Sequence, residues 1–145
     1  MGIRVDGLDE FERKMLDIAE KFPEARDKFL KQEAELIKSR AKMNTPVDTG
    51  RLRNTWERTQ PANGSIEVYN NAEYAAHVEY GHRQKKRWVP GYWKGGHFTY
   101  DPSAKTGMML KERFIDGARM LHEAMAETNL SIRSDAKAIL GGLFK

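Results

Sequence analysis

Two sets of side chains in this sequence could do chemistry. The first is the four histidines, His77, His82, His97 and His122. None stands in a ligand spacing such as H-E-x-x-H, and the cations between His82 and His97 would repel a metal ion. There is no cysteine, which excludes disulfides, thiolate catalysis and cysteine zinc sites. No nucleophile elbow, phosphate-binding loop or dinucleotide fingerprint is present. Carboxylate pairs such as Glu33 and Glu35, or Glu67 and Glu73, read as ordinary helix and strand surface. No enzymatic activity, metal or cofactor is expected; a small hydrolase using His82 or His97 would require bound metal.

The second set lies in 83–100, where Arg83, Lys85, Lys86, Arg87 and Lys94 interleave with Trp88, Tyr92, Trp93, Phe98 and Tyr100. Cations neutralise phosphates, and flat rings stack on bases or pack against partner surfaces. Lys85, Lys86 and Arg87 would be the phosphate contacts, with Trp88, Tyr92 and Trp93 the stacking groups. The same rings could instead be tucked into the core or a subunit interface, because Trp, Tyr and Arg are what interfaces favour. From 83 to 105 six basic residues face one acidic residue, Asp101, a charge of +5 in a chain of net +4. The basic character is one patch on a neutral protein.

Those residues need a scaffold. The 145 residues (16.7 kDa) suffice for one domain with a core. Only 39% are hydrophobic and 32% are charged, so apolar positions must be gathered on particular faces. No apolar run approaches the roughly 20 residues of a membrane span. The chain opens without signal-peptide features, so cytoplasmic synthesis is expected.

The first 43 residues read as helix, capped by Asp6 and divided or kinked at Pro23. Leu8, Phe11, Met15, Ile18, Ala19 and Phe22 form one apolar stripe, and Phe29 to Ala41 a wider one. Thr45-Pro46 stops the helix, and Thr49 can cap a short turn through Arg53. A strand over 55–60, the turn Pro61-Ala62-Asn63-Gly64 and a return strand over 65–70 make a hairpin. A short helix within 71–81 ends at Gly81. The stretch 82–103 reads as a long loop, with a short strand pair near Trp88 and Phe98. A helix is expected over 107–128, closed by Asn129. A tail over 131–145, capped by Ser134 or Asp135, needs something to dock on. This order gives an α+β fold: N-terminal helices on a small antiparallel β-sheet, a long basic-aromatic loop and a C-terminal helix. The expected organisation is a single domain over 1–130, with the 82–103 insertion, and a C-terminal arm over 131–145.

Two phrases are more specific. The first is Thr45-Pro46-Val47-Asp48-Thr49-Gly50-Arg51-Leu52-Arg53-Asn54-Thr55-Trp56. The second runs from Val68-Tyr69-Asn70-Asn71 through Tyr74-Ala75-Ala76-His77-Val78-Glu79-Tyr80 to Gly81. Together they resemble the gene-product-10-like tail-component family of lambda-like tailed bacteriophages and prophages. That family carries P-V-D-T-G-x-L-R-x-S-W and then N-x-x-x-Y-A-x-x-V-E-Y-G; Thr55 replaces the usual serine. The similarity covers about residues 8–81 and thins beyond Gly81.

The resemblance implies a virion assembly protein of the neck: a tail-completion or head–tail connector subunit, in rings such as hexamers, without catalysis or cofactor. Its implied location is the virion, assembled in the bacterial host cytoplasm. Implied partners are tail-tube, tail-terminator, connector or tape-measure proteins. In this framework Pro46 and Gly50 fix a tight turn and Asp48 bonds its amides. Leu52 and Trp56 anchor the hairpin, while Tyr74, Val78 and Tyr80 pack the short helix. Glu79 would meet Arg51 or Arg53, and Gly81 ends the helix. The 83–94 cations and rings become interface residues, or line a channel and touch passing DNA without base specificity. The runner-up is a nucleic-acid-binding protein using 83–100.

Overall fold

The stripe that begins at Leu8 continues as one helix, α1 (Leu8–Asn44), in the computed structural model, which describes Gly2 and residues 6–144. Pro23 lies inside it and does not divide it into two elements. The N-cap is Gly7, at φ 91°, rather than Asp6; its carbonyl accepts the Phe11 amide at 3.0 Å. Asp9 and Glu10 occupy the first turn, where the helix dipole favours negative charge.

The chain divides into two compact units, one comprising Tyr74–Arg119 and the other the segments on either side. The flanking unit is built on α1 and α4 (Met120–Leu140). Asn44 Nδ2 donates to the Met120 carbonyl at 3.3 Å, and Arg40 Nη1 to Thr128 Oγ1 at 2.8 Å. The end of α1 therefore meets the start of α4, and the helices run antiparallel. Their seam buries Ala34 and Ala41 against Met120, Ala124 and Thr128. The alanines among them let the two backbones approach closely.

Also packed against α1 are α2 (Arg51–Asn54) and a two-stranded hairpin, β1 (Trp56–Arg58) and β2 (Val68–Asn70), with Trp56 opposite Asn70. The hairpin turn is as read from sequence. Ala62 bridges Ser65, and Asn63 (φ 52°) with Gly64 (φ 75°) form the doubly left-handed turn that matches strand twist.

The Tyr74–Arg119 unit holds α3 (Ala75–Tyr80) and five strands: β3 (Gly81–Gln84), β4 (Arg87–Lys94), β5 (His97–Tyr100), β6 (Gly107–Leu110) and β7 (Arg113–Asp116). β3 pairs with β7, and β4 lies between β5 and β6; all pairings are antiparallel. The α+β class stands, but two elements differ from expectation. The stretch read as a loop is mostly strand, because β4 has partners on both edges. The residues read as helix over 107–116 are β6 and β7, and α4 begins at Met120. Leu110 and Phe114 do keep helical spacing, but ladder hydrogen bonds to β4 and β3 outweigh that local preference.

Gly81 and Gly117 explain how β3 and β7 close on α3. A Cβ on Gly81, at φ 83°, would stand 2.4 Å from the Ile115 carbonyl oxygen; one on Gly117 would stand 2.2 Å from that of Glu79. Asn129 does not close the last helix either. α4 runs unbroken to Leu140 and passes into a 3-10 turn, Gly141–Phe144. The C-terminal stretch thus finds its dock on α1 of its own chain.

Candidate assembly surface

The first phrase is spent on structure. Leu52 and Trp56 are buried, and the Trp56 indole N–H donates to Thr45 Oγ1 at 2.8 Å. Thr45 is itself buried and donates to the Ala41 carbonyl at 2.6 Å, so the phrase is fastened to the end of α1. Gly50 has φ 82°, and the Arg51 amide donates to Thr49 Oγ1 at 3.4 Å. Pro46 and Asp48 are exposed. Among the described residues Asp48 makes no hydrogen bond, and the N-cap of α2 is Gly50 rather than the expected Thr49. Arg53 Nε donates to the Lys42 carbonyl at 3.1 Å, which holds α2 against the helix end.

The two phrases meet at Asn70, a residue that sequence reading did not single out. Its Nδ2 donates to the Leu52 carbonyl at 2.8 Å, and its Oδ1 accepts from Thr55 Oγ1 at 2.8 Å and from the Ala72 amide at 2.9 Å. The Thr55 hydroxyl accounts for the serine–threonine exchange, because either residue supplies it. A visible signal was the Asn70-Asn71 pair directly after a strand, where Asn side chains bond local backbone.

The remainder of the second phrase, within Tyr74–Arg119, also holds backbone together. Gly81 caps α3, the Val78 carbonyl accepts the Ala118 amide at 2.6 Å, and the Glu79 carbonyl accepts the Arg119 amide at 3.1 Å. Tyr74 and Tyr80, expected to pack the helix, are exposed, Tyr80 at 79%; Val78 is half-buried. His77 and His82 sit edge to face with ring centroids 5.5 Å apart. No group of three or more possible metal ligands occurs among the described residues.

The basic-aromatic segment becomes a surface. Cross-strand partners share a face, so Trp88 stands beside Met109, with Pro90, Tyr92 and Lys94 following along β4. Trp93, opposite Phe98 and edge-on to its ring at 5.5 Å, lies on the other face with Arg87 and Tyr100. Trp88 (54%), Tyr92, Trp93 and Tyr100 are exposed, as is Met109. In this unit only Gly91 is buried, so the aromatics are not tucked into a core of it. Arg83 pairs with Glu112. Lys85, Lys86, Arg87 and Lys94 have no carboxylate partner among the described residues.

A second uncovered surface escaped the sequence reading. Every residue from Leu8 to Glu24 is exposed except Ile18, which is half-buried, so the apolar stripe of α1 has no cover in its first half. The stripe was visible in the sequence; that α4 ends before reaching it was not.

With that geometry in place, the comparisons are specific. Residues 9–81 match the family model described as "Bacteriophage HK97-gp10, putative tail-component". The matched interval takes in α1, α2, the hairpin and α3, and stops where β3 begins. The chain belongs to this family and is a tail-component structural protein of a tailed phage or prophage. It is similar to "Uncharacterized protein YqbI" of Bacillus subtilis (strain 168), 42% identical over 96 residues, 55% of this chain and 58% of that one. It is also similar to "Phage-like element PBSX protein XkdI" of the same organism, 34% identical over 113 residues, 66% of this chain and 70% of that one. The chain thus spans little more than half the length of YqbI. No solved structure matches. Among the described residues no helix is long and apolar enough to cross a membrane.

Proposed function

We propose that the protein is a tail-completion or neck subunit at the head–tail junction, acting by protein–protein binding within a closed ring of its own copies. Its neighbours would be tail-tube, tail-terminator, connector or tape-measure proteins, and it joins the virion after assembly in the host cytoplasm. The observation that carries this reading is the division of labour in the chain. The two family phrases fasten the scaffold, while the 83–94 segment presents uncovered rings and unpaired cations on short strands. Such rings on a small sheet are a docking surface, since exposed aromatic patches mark interaction sites. Native mass spectrometry of the purified chain tests the ring directly. One closed multiple, a hexamer being the candidate, is expected; a monomer at every concentration contradicts it.

A second reading has support in the same residues. Trp88 and Tyr92 stand exposed along a strand that ends in Lys94, the combination that binds nucleic acid by stacking and charge. A free nucleic-acid-binding protein would bind DNA as a monomer, with affinity falling steeply as salt rises. Lys85→Ala/Lys86→Ala/Arg87→Ala would then remove most of that binding. A ring subunit whose cations line a channel would bind weakly as a monomer or not at all.

A further inference from the structure

The ring reading leaves open which surfaces meet, and two uncovered surfaces on this chain are complementary. The first is the leading half of α1. Leu8, Phe11, Met15, Ile18 and Phe22 recur at alternating three and four residues, and all but Ile18 are exposed, Phe11 at 61%. Around them the charge is negative. From 6 to 24 there are seven acidic residues and three basic, a net of −4. A helical stretch of this length is marginal alone in water, and its apolar face requires a partner.

The second surface is the β4 face bearing Trp88, Pro90, Tyr92 and Met109, in the segment that carries +5. The dimensions agree. The stripe from Leu8 to Phe22 is ~21 Å long at the helical rise, and β4 from Trp88 to Lys94 is ~20 Å at the strand rise. We propose that the leading half of α1 in one copy seats its apolar stripe on the Trp88–Tyr92–Met109 face of the next copy. The acidic flanks of the helix then lie among Lys85, Lys86 and Lys94. This rests on the ring reading above and gives it a mechanism. Two different surfaces meet, so the contact runs head to tail and closes when its rotation allows.

Pairing of two α1 stripes with each other is the weaker alternative. Lys14 and Lys21 flank the stripe on one side, and Glu12, Ala19 and Arg26 on the other. A parallel pair would set Lys21 against Arg26, and an antiparallel pair would set lysines against lysines along one side.

The chain lacks cysteine, so introduced thiols are unambiguous. Phe11→Cys and Tyr92→Cys chains, mixed and treated with a short bismaleimide, are expected to join to each other. The doubly substituted chain is expected to give a ladder ending at the ring. Phe11→Cys joining only to itself, or a double variant closing only within one chain, overturns the proposal. In parallel, Phe11→Asp/Met15→Asp and Trp88→Ala/Tyr92→Ala should each weaken association at least about tenfold, with unchanged helical circular dichroism, because the substituted residues are exposed. Rings that persist in either variant overturn this contact and leave the ring reading intact. Rings that persist while Trp88→Ala/Tyr92→Ala abolishes DNA retention assign the face to nucleic acid instead. An unsubstituted chain that stays monomeric overturns both.

Discussion

The indole N–H of Trp56 donates to Oγ1 of Thr45 at 2.8 Å, and that hydroxyl donates onward to the Ala41 carbonyl at 2.6 Å. Both side chains are buried, Thr45 at 4% exposure and Trp56 at 4%. One hydroxyl thus serves the end of α1 and the start of the hairpin. Thr45→Val keeps the shape but removes the acceptor, leaving a buried N–H unpaired. The expected loss is about 1–3 kcal/mol in urea unfolding, and Thr45→Ser should recover most of it.

Asn70 holds three backbone and side-chain groups at once, from Leu52, Thr55 and Ala72. Asn70→Asp keeps the acceptors but points a carboxylate at the Leu52 carbonyl, and Asn70→Ala removes every contact. Both should destabilise the α2–hairpin unit, by roughly 3 kcal/mol for the alanine variant, counting about 1 kcal/mol net for each bond the amide makes. The separate measurement is amide exchange: the protection of Ala72 should fall far more than that of Ala41 in α1.

Gly81 tests the strand-rich unit. Gly81→Ala adds a Cβ 2.4 Å from a backbone oxygen, in a left-handed conformation, so β3 and β7 must separate. Tryptic cleavage after Lys85, Lys86 and Arg87 should rise at least ~10-fold if local opening controls access. Unchanged cleavage would mean that β3–β7 pairing does not hold this segment.

These relationships show what was legible in the sequence. The Asn63-Gly64 turn, the end of α3 at Gly81 and the first half of α1 were readable because each depends on local chemistry: positive φ, capping and helical period. The strand pair near Trp88 and Phe98 was also visible, but the strands over 107–116 were not. Met108-Met109-Leu110-Lys111-Glu112 carries good helix formers, and only pairing with distant β4 makes part of it a strand. Asn129 likewise looked like a stop, yet α4 continues through it because the helix packs along α1. The residues of the proposed surface could be picked out by type, but not its faces, which strand register alone defines. Glu33 passed as surface because burial by α4 cannot be read from its own helix.

That glutamate makes a pH prediction. Glu33 is 5% exposed, and neither carboxylate oxygen has a hydrogen-bond partner among the described residues. Burial, and then the neighbouring Asp135 carboxyl, push its pKa above the ordinary 4.5, with Arg40 opposing. A carboxyl raised in the folded state binds its proton more tightly there than when unfolded. Its effect is therefore unfavourable at neutral pH and is relieved as pH falls through the folded value. Glu33→Gln should raise the neutral-pH Tm by about 2–5 °C, and it should flatten the gain in stability that the parent shows as pH falls toward 4.5. A lower Tm would mean that the charged form is stabilised where it sits.

The central claim is that this chain completes phage particles by joining their parts. Deleting its reading frame from the source phage or prophage and viewing the induced lysate by electron microscopy tests this most directly. The account predicts filled heads and tails lying apart, or tails of abnormal length or frayed ends, with infectivity restored by the gene in trans. Normal infectious particles would contradict it.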